Sequence, residues 1–262
     1  MRPSNPAGGF ARAGFAGYAS RRMRALRRPD LDAVFLDAGN TLITLDHRLV
    51  CAVLAAEGVA VSADALARAE AAARPAVSAF LAAGASSEGR DTFTFYVGCI
   101  LTGLGAGATA AATLAPRIVR TLKHDVGTRR LWSQVLPGVP EALRALRAAG
   151  LRLVVVSNSD GTVEDGLSDL GLRDLFDAVV DSTVVGSEKP DAAIFRHALD
   201  VIGAPADRTL HAGDLYAVDV VGARRAGLHG VLLDPYGDWD AVDCDTAPDL
   251  ASLARALLDG GR

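Results

Sequence analysis

The sequence contains few cysteines and no long hydrophobic run. Its three cysteines, Cys51, Cys99 and Cys244, lie far apart in a chain of 262 residues and form no CxxC pair. This spacing argues against a disulfide framework or a zinc site, and it predicts free thiols in a reducing compartment, the cytoplasm. Because no apolar stretch approaches the roughly 20 residues needed to cross a bilayer, we expect no membrane association.

Lysine is almost absent. Only two of the 27 Lys and Arg residues are lysines, Lys123 and Lys189. Lysine at position 189 in this Arg-rich background favours a compact point charge there. The first 30 residues hold seven arginines and one acid, so the other 232 residues carry a formal charge of −10 within a chain of net charge −4. We interpret residues 1–30 as a basic flexible tail, and the acidic remainder argues against nucleic-acid binding.

The hydrophobic pattern divides the rest of the chain into two kinds of sequence. Residues 46–130 are rich in alanine, with four stretches of helical spacing and no strand pattern. Before and after this block, short apolar runs alternate with helical stretches, which predicts an α/β fold with a Rossmann-like parallel sheet covered by helices on both faces. We therefore predict a core of residues 31–45 plus 131–262 and a four-helix insert. The predicted strands are 32–37, 151–156, 178–181, 209–211 and 230–233.

Polar residues follow these predicted strands. Asp37, Ser157 and Asp214 each stand at a strand end, Asp219 follows shortly after, and Lys189 lies in a loop. Ligands of such sheets bind beyond the carboxyl ends of the strands, so we expect these side chains to gather at one edge. Each residue alone is as typical of a turn or a helix cap as of a functional site. Together, crowded carboxylates require a cation, and an all-oxygen set favours Mg²⁺ with an anionic substrate.

Four segments of the sequence resemble the motifs of the haloacid dehalogenase superfamily. They are DAGNTL at 37–42, VSN at 156–158, EKPD at 188–191 and Gly-Asp-x4-Asp at 213–219. The helical block between the first two segments resembles the cap of the subfamily that inserts its cap there. The resemblance implies a hydrolase, monomeric or homodimeric, that acts on small phosphorylated metabolites.

The resemblance also implies roles for individual residues. Asp37 would be the nucleophile that forms an aspartyl-phosphate, and Lys189 would offset negative charge on nucleophile and substrate. Ser157 and Asn158 would bind phosphoryl oxygens, and Thr41 would orient the first motif near the substrate. The ligands implied for Mg²⁺ are Asp37, the backbone carbonyl of Gly39, Asp214 and Asp219.

Gly39 departs from the family pattern. Phosphatases of the superfamily usually carry an aspartate there, which acts as general acid and base. General acid–base catalysis contributes about 10²–10⁴-fold, so we expect slow hydrolysis of alkyl phosphates and at least a tenfold gain from Gly39→Asp. A substitute acid could come from the insert or its entrance, and the candidates are Asp46, His47 and His124.

The same departure leaves other functions open. Dehalogenases of the superfamily also lack this aspartate, but they generally lack the Gly-Asp-x4-Asp segment as well, which favours the phosphatase. Phosphonate hydrolases have a small residue there and a cap lysine that forms a Schiff base, a role for which only Lys123 is available. If the protein is not an enzyme, the alternative is a non-catalytic phosphate-binding module.

Overall fold

The structure is a computed structural model that describes residues 30–86 and 89–259. Apart from Asp30, the predicted basic tail lies outside the described residues. Among the described residues, no helix is both long and apolar enough to pass through a bilayer. The strands are β1 (Ala33–Leu36), β2 (Ile43–Thr44), β3 (Gln134–Val135), β4 (Arg152–Ser157), β5 (Ala178–Asp181), β6 (Thr209–Gly213), β7 (His229–Leu233) and β8 (Asp245–Ala247).

A six-stranded parallel sheet forms the centre of the molecule, in the order β5-β4-β1-β6-β7-β8. The middle strand β1 is buried on both faces, which explains its uninterrupted apolar sequence. Successive side chains of a strand point to opposite faces. Accordingly, Val34 and Leu36 pack in one hydrophobic cluster, and Ala33 and Phe35 pack in another. The predicted α/β fold with a Rossmann-like parallel sheet is confirmed.

Helices cover both faces of this sheet. The helices of the structure are α1 (His47–Ala56), α2 (Ala63–Ala82), α3 (Arg90–Gly103), α4 (Ala108–Arg120), α5 (Thr128–Leu131), α6 (Val139–Ala148), α7 (Val163–Asp169), α8 (Ser182–Val185), α9 (Ala192–Ile202), α10 (Val221–Arg225) and α11 (Leu250–Asp259). The first of the two clusters contains residues of α6, α7 and α11, and the second contains residues of α9 and α10. Glycines with positive φ follow several of the helices, among them Gly150 after α6.

The helices α1 to α4 lie between β2 and β3, and we call residues 46–130 the helical insert. These helices share a hydrophobic cluster that also includes Val218 of the core. The helix α2 begins where Ser62 accepts a hydrogen bond from the Ala65 backbone N–H at 3.2 Å, so Ser62 caps this helix. A π-helical turn, Thr121–Val126, follows directly after α4.

Short elements are those that the hydrophobic pattern does not reveal. The strands β2 and β3 have two residues each, pair antiparallel, and join the two ends of the insert. The edge strand β8 reads Asp-Thr-Ala, without an apolar run. A π-helical turn, Tyr216–Val220, leads into the short helix α10. The three cysteines are free, as the sequence predicts.

Candidate active site

Three neighbouring strands end at polar residues. Strand β1 ends directly before Asp37, β4 ends at Ser157, and β6 ends at Gly213, directly before Asp214. Because β4, β1 and β6 are adjacent and parallel, these residues meet at one edge of the sheet. With Lys189 they line a cavity of about 220 Å³ between the sheet edge and the helical insert.

Lys189 connects two carboxylates at the core side of this cavity. Its Nζ donates hydrogen bonds to Asp37 Oδ1 at 2.7 Å and to Asp219 Oδ1 at 2.8 Å, and its side chain is 1% exposed. Burial alone lowers the pKa of a lysine, but the two carboxylates outweigh it and raise the pKa of Lys189 above its usual range. The residue is therefore a permanent cation at the site.

Asp219 is held by three donors. Besides Lys189, His211 Nε2 donates to its Oδ1 at 3.0 Å, and the Leu215 backbone N–H donates to its Oδ2 at 2.9 Å. Burial acts to raise the pKa of Asp219, but Lys189 and His211 hold it below its usual range. The carboxylate lies against the backbone of β6, since a Cβ on Gly213 would stand 2.2 Å from Asp219 Cγ. Glycine is thus required at the start of the Gly-Asp-x4-Asp segment.

His211 is fully buried in β6, and it was not expected from the sequence. Burial lowers its pKa, so the ring is neutral. Because the Asp219 carboxylate can only accept, Nε2 of His211 carries the proton. The ring also packs edge-on against Phe195 at 5.0 Å between centroids. His211 therefore positions Asp219.

Asp214 has a different set of partners, and one of them comes from the insert. Asn40 Nδ2 donates to Asp214 Oδ2 at 3.2 Å, and Arg74 Nε of α2 lies 3.3 Å from the same oxygen. Burial raises the pKa of Asp214 to about 7 even though Arg74 opposes the shift. Burial likewise raises the pKa of Asp37 to about 6 against the effect of Lys189. Both carboxylates are thus incompletely neutralised by the protein.

This donor set fits Mg²⁺ in part. Across residues 30–86 and 89–259, no group of three or more His, Cys, Asp or Glu side chains is placed to hold one metal ion. Both oxygens of Asp219 already accept hydrogen bonds, so the geometry does not support it as a direct ligand. Asp37 and Asp214 are left as incompletely neutralised carboxylates. Mg²⁺ is commonly bound by one or two carboxylates with waters and substrate phosphate, and this pair suits it.

The remaining predicted binding residues differ in their placement. Ser157 and Asn158 line the cavity. The Asn158 amide donates to the Lys189 carbonyl at 2.8 Å and accepts from the Lys189 N–H at 2.7 Å, so it positions the lysine loop. Thr41 does not line the cavity, because it is buried in the turn after β1, where its N–H donates to the Ala38 carbonyl at 3.4 Å. Thr41 is therefore not placed to contact a substrate in this cavity, and its role in orienting the first motif stays a prediction.

A family comparison agrees with this arrangement. The model of the haloacid dehalogenase-like hydrolases matches residues 31–227, which include the whole cavity lining. The chain belongs to this family.

Individual members of the family are similar over part of the chain. The Bos taurus "Haloacid dehalogenase-like hydrolase domain-containing protein 3" is 39% identical over 155 residues, 58% of this chain and 61% of that protein. The phosphoglycolate phosphatase of Rhodospirillum rubrum is 36% identical over 137 residues, 52% of this chain and 56% of that enzyme. The matched region therefore spans less than two thirds of these relatives.

Solved structures share the fold of this chain. The HAD-hydrolase YfnB from Bacillus subtilis, bound to magnesium, has a TM-score of 0.60 at 20% identity, covering 87% of this chain and 98% of that one. A 2-haloacid dehalogenase from Pseudomonas syringae has a TM-score of 0.51 at 24% identity, with the same coverage. At these sequence identities the comparison establishes the fold alone, and a magnesium-bound hydrolase and a dehalogenase share this fold.

An aromatic ring covers position 39, where the sequence has glycine and not the aspartate of the family pattern. A Cβ on Gly39 would lie 3.2 Å from Cζ3 of Trp132, which lines the cavity and packs against the clusters of both the core and the insert. An aspartate at position 39 would therefore be crowded. None of the predicted substitute acids lines the cavity; they are Asp46, His47 and His124.

A line of polar residues on α2 was missed by the sequence reasoning. Glu70, Arg74 and Ser78 are spaced by four, and all three are buried. Glu70 accepts from Tyr96 OH at 2.8 Å, and Ser78 Oγ accepts from the Ala217 N–H at 2.9 Å. Their spacing could have revealed them in the sequence, because residues four apart share one helix face. Polar side chains on a buried helix face need hydrogen-bond partners from the rest of the protein.

Proposed function

We propose that this haloacid dehalogenase-like hydrolase is a Mg²⁺-dependent phosphatase that acts on small phosphorylated metabolites. The observation that carries the proposal is the buried contact of Lys189 with Asp37 and Asp219 at the core side of the cavity. An ammonium 2.7 Å from Asp37 orients the carboxylate for attack and offsets the charge of a phosphoryl group. The phosphatase relative described above supports this substrate class.

The proposed reaction has two steps at Asp37. Its carboxylate attacks phosphorus, and the phosphoryl group passes to Asp37 as the bond to the leaving oxygen breaks. Water then hydrolyses the aspartyl-phosphate and restores the carboxylate. Lys189 orients the Asp37 carboxylate in the first step and the aspartyl group in the second, and Ser157 at the end of β4 donates a hydrogen bond to a phosphoryl oxygen.

The metal ion would be held by Asp37, Asp214 and the backbone carbonyl of Gly39. When bound, it supplies the positive charge that reduces repulsion between the carboxylate and the phosphoryl group. The raised pKa values of Asp37 and Asp214 support this assignment, because two incompletely neutralised carboxylates favour a cation. Asp219 contributes by holding Lys189, and Asn40 by orienting Asp214.

The absence of a side chain at position 39 limits the substrates. With no acid there, the leaving oxygen departs without a proton from that position, so aryl phosphates, acyl phosphates and anhydrides should react faster than alkyl phosphates. Trp132 against Gly39 supports this limit, since the ring takes the space in which a longer side chain would lie.

Two features favour a 2-haloacid dehalogenase as the second candidate. Gly39 suits the displacement of halide, which needs no protonated leaving group. Arg74 provides a protein cation beside Asp214 at 3.3 Å, where the phosphatase mechanism places a metal. The two functions differ in their need for Mg²⁺.

The deciding experiment compares two substrates with and without the metal. We expect p-nitrophenyl phosphate to be hydrolysed in the presence of Mg²⁺ and the rate to fall to background in EDTA. Chloride release from 2-chloropropionate that is unaffected by EDTA, with no phosphatase activity, would instead establish the dehalogenase. Binding of phosphate with Mg²⁺ by calorimetry, without turnover of either substrate, would favour a binding module.

The domain division is part of the same proposal. Residues 31–45 and 131–262 form the catalytic core, and the helical insert acts as a cap over the cavity. We propose a cytoplasmic protein, monomeric or homodimeric, and size-exclusion chromatography with light scattering measures its oligomeric state.

A further inference from the structure

The charged side chains around the cavity are separated by sign. The core contributes carboxylates to the lining, among them Asp37, Asp160 and Asp214, against the single ammonium of Lys189. The insert contributes three charged side chains, Arg74, Lys123 and Arg129, and all three are cations. The charged side chains that a substrate in this cavity meets from the insert are therefore all positive.

Two of the three insert cations are already neutralised. Arg74 lies against Asp214 in the interior, and Arg129 pairs with Asp165 and Asp169 of α7. Lys123 differs, since within residues 30–86 and 89–259 it makes no ion pair and its ammonium stands 5.3 Å from the centroid of the Phe93 ring. An ammonium over an aromatic face keeps its capacity to bind an anion.

The use of lysine points to the same side chain. The chain contains only two lysines among 27 basic residues, and both line this cavity. Lys189 faces the nucleophile, and Lys123 lies on the π-helical turn of the insert, where it is exposed at the cavity rim. A compact ammonium suits a single charged group better than the fork of a guanidinium.

We infer that Lys123 binds a second anionic group of the substrate, a carboxylate, at the end remote from the transferred phosphoryl group. This inference rests on the proposed phosphatase function and names its substrate class as small phosphorylated carboxylic acids. One unpaired ammonium balances one carboxylate. The cavity of about 220 Å³ accommodates only a small carbon skeleton, which Phe93, Tyr96 and Trp132 would contact.

The test uses two aryl phosphates that differ in one charge. 4-Carboxyphenyl phosphate carries the second anion, and 4-carbamoylphenyl phosphate has a neutral group of similar size. Because the two phenols also differ as leaving groups, the ratio of kcat/KM for the carboxylate over the carbamoyl compound is compared between proteins. We expect Lys123→Gln to lower this ratio about fivefold relative to the wild type, the range of an exposed ion pair. Lys123→Glu should lower it further, by the same charge argument.

The matched control is Arg130→Gln. Arg130 is exposed in the same part of the insert but does not line the cavity, so its loss changes the net charge equally. We expect this variant to retain the wild-type ratio. An unchanged ratio in Lys123→Gln, or an equal loss in Arg130→Gln, would overturn the inference.

A binding measurement separates this inference from the phosphatase proposal. If neither compound is hydrolysed, the proposed function fails, and calorimetry of both compounds with the Asp37→Asn protein and Mg²⁺ still tests Lys123. Tighter binding of 4-carboxyphenyl phosphate that is lost in Asp37→Asn/Lys123→Gln supports the inference. Equal affinities for the two compounds contradict it.

Discussion

The core and insert sides of the cavity are built in different ways. On the core side, Lys189, Asp37 and Asp219 are buried and joined by hydrogen bonds of 2.7 and 2.8 Å. On the insert side, Arg74 is 3.3 Å from its carboxylate, and its Nε has no hydrogen-bond partner among the described residues. A chemical step requires reacting groups that are held in place before the substrate binds, as they are on the core side. The insert side has weaker contacts, so its residues can differ between proteins that act on different substrates.

The largest effect is expected from the nucleophile. Asp37→Asn keeps the shape of the side chain but removes its nucleophilic charge, so phosphatase turnover should fall at least about 10⁴-fold. Steady-state assays with p-nitrophenyl phosphate measure this loss, and thermal melts establish that the protein is folded. Asp200→Asn, on the exposed face of α9, is the matched control. Turnover near the wild-type rate in Asp37→Asn would mean that Asp37 is not the nucleophile.

The second largest effect is expected from Lys189, whose substitution tests how much the core contacts stabilise the protein. Lys189→Met leaves Asp37 and Asp219 buried without their cation, which should cost about 3–5 kcal/mol of unfolding free energy. Lys189→Arg should also lower kcat strongly, because a planar guanidinium cannot replace a point charge between two carboxylates. Urea unfolding measures the first effect. Lys123→Met, at the exposed lysine, should change stability by less than about 0.5 kcal/mol.

The contrast between the two sides also explains how far sequence reasoning reaches. Apolar runs such as Val34–Leu36 reveal buried strands, and parallel strands share one edge for their carboxyl ends. Hence Asp37, Ser157 and Asp214 could be placed together before any coordinates were known. The same reasoning gives no distances, so it could not show that both oxygens of Asp219 are occupied by protein donors.

The insert side could not be reached in this way. A helix pattern shows which face of α2 is buried but not which part of the core it covers, because that depends on how the insert packs on the sheet. Arg74 of the insert approaches Asp214, 140 positions away, and Trp132, just after the insert, approaches Gly39, 93 positions away. The one signal in the sequence was the spacing of the polar residues on α2, which indicates that this buried helix face contacts other polar groups.

A third prediction concerns the link between the two sides. Arg74→Met removes the insert cation from Asp214, and we expect a loss of about 1–3 kcal/mol in the metal-free protein, less than for Lys189→Met because Asn40 still donates to Asp214. Mg²⁺ should then stabilise this variant more than the wild type, since the ion replaces the lost charge. Melting temperatures with and without Mg²⁺ measure this difference.

The control for this link is on the same helix. Arg68 also pairs with an aspartate, Asp238, but on the surface, with its side chain 48% exposed. Arg68→Met should leave the Mg²⁺-dependent shift in melting temperature as in the wild type. If Arg74→Met gains nothing from Mg²⁺, the ion does not bind beside Asp214 and the dehalogenase becomes the better candidate.

The smallest effect is expected at the contact of Gly39 with Trp132. The tenfold gain that the sequence predicts for Gly39→Asp does not allow for the indole 3.2 Å from the new Cβ, so we now expect the single variant to hydrolyse an alkyl phosphate within about threefold of the wild type. In a Trp132→Leu background the aspartate of Gly39→Asp has space to reach the leaving oxygen. The rate of alkyl phosphate hydrolysis should then rise about tenfold. Kinetics of all four proteins form a double-mutant cycle. A full gain in Gly39→Asp alone would mean that the ring yields easily and that Gly39, not Trp132, excludes alkyl substrates.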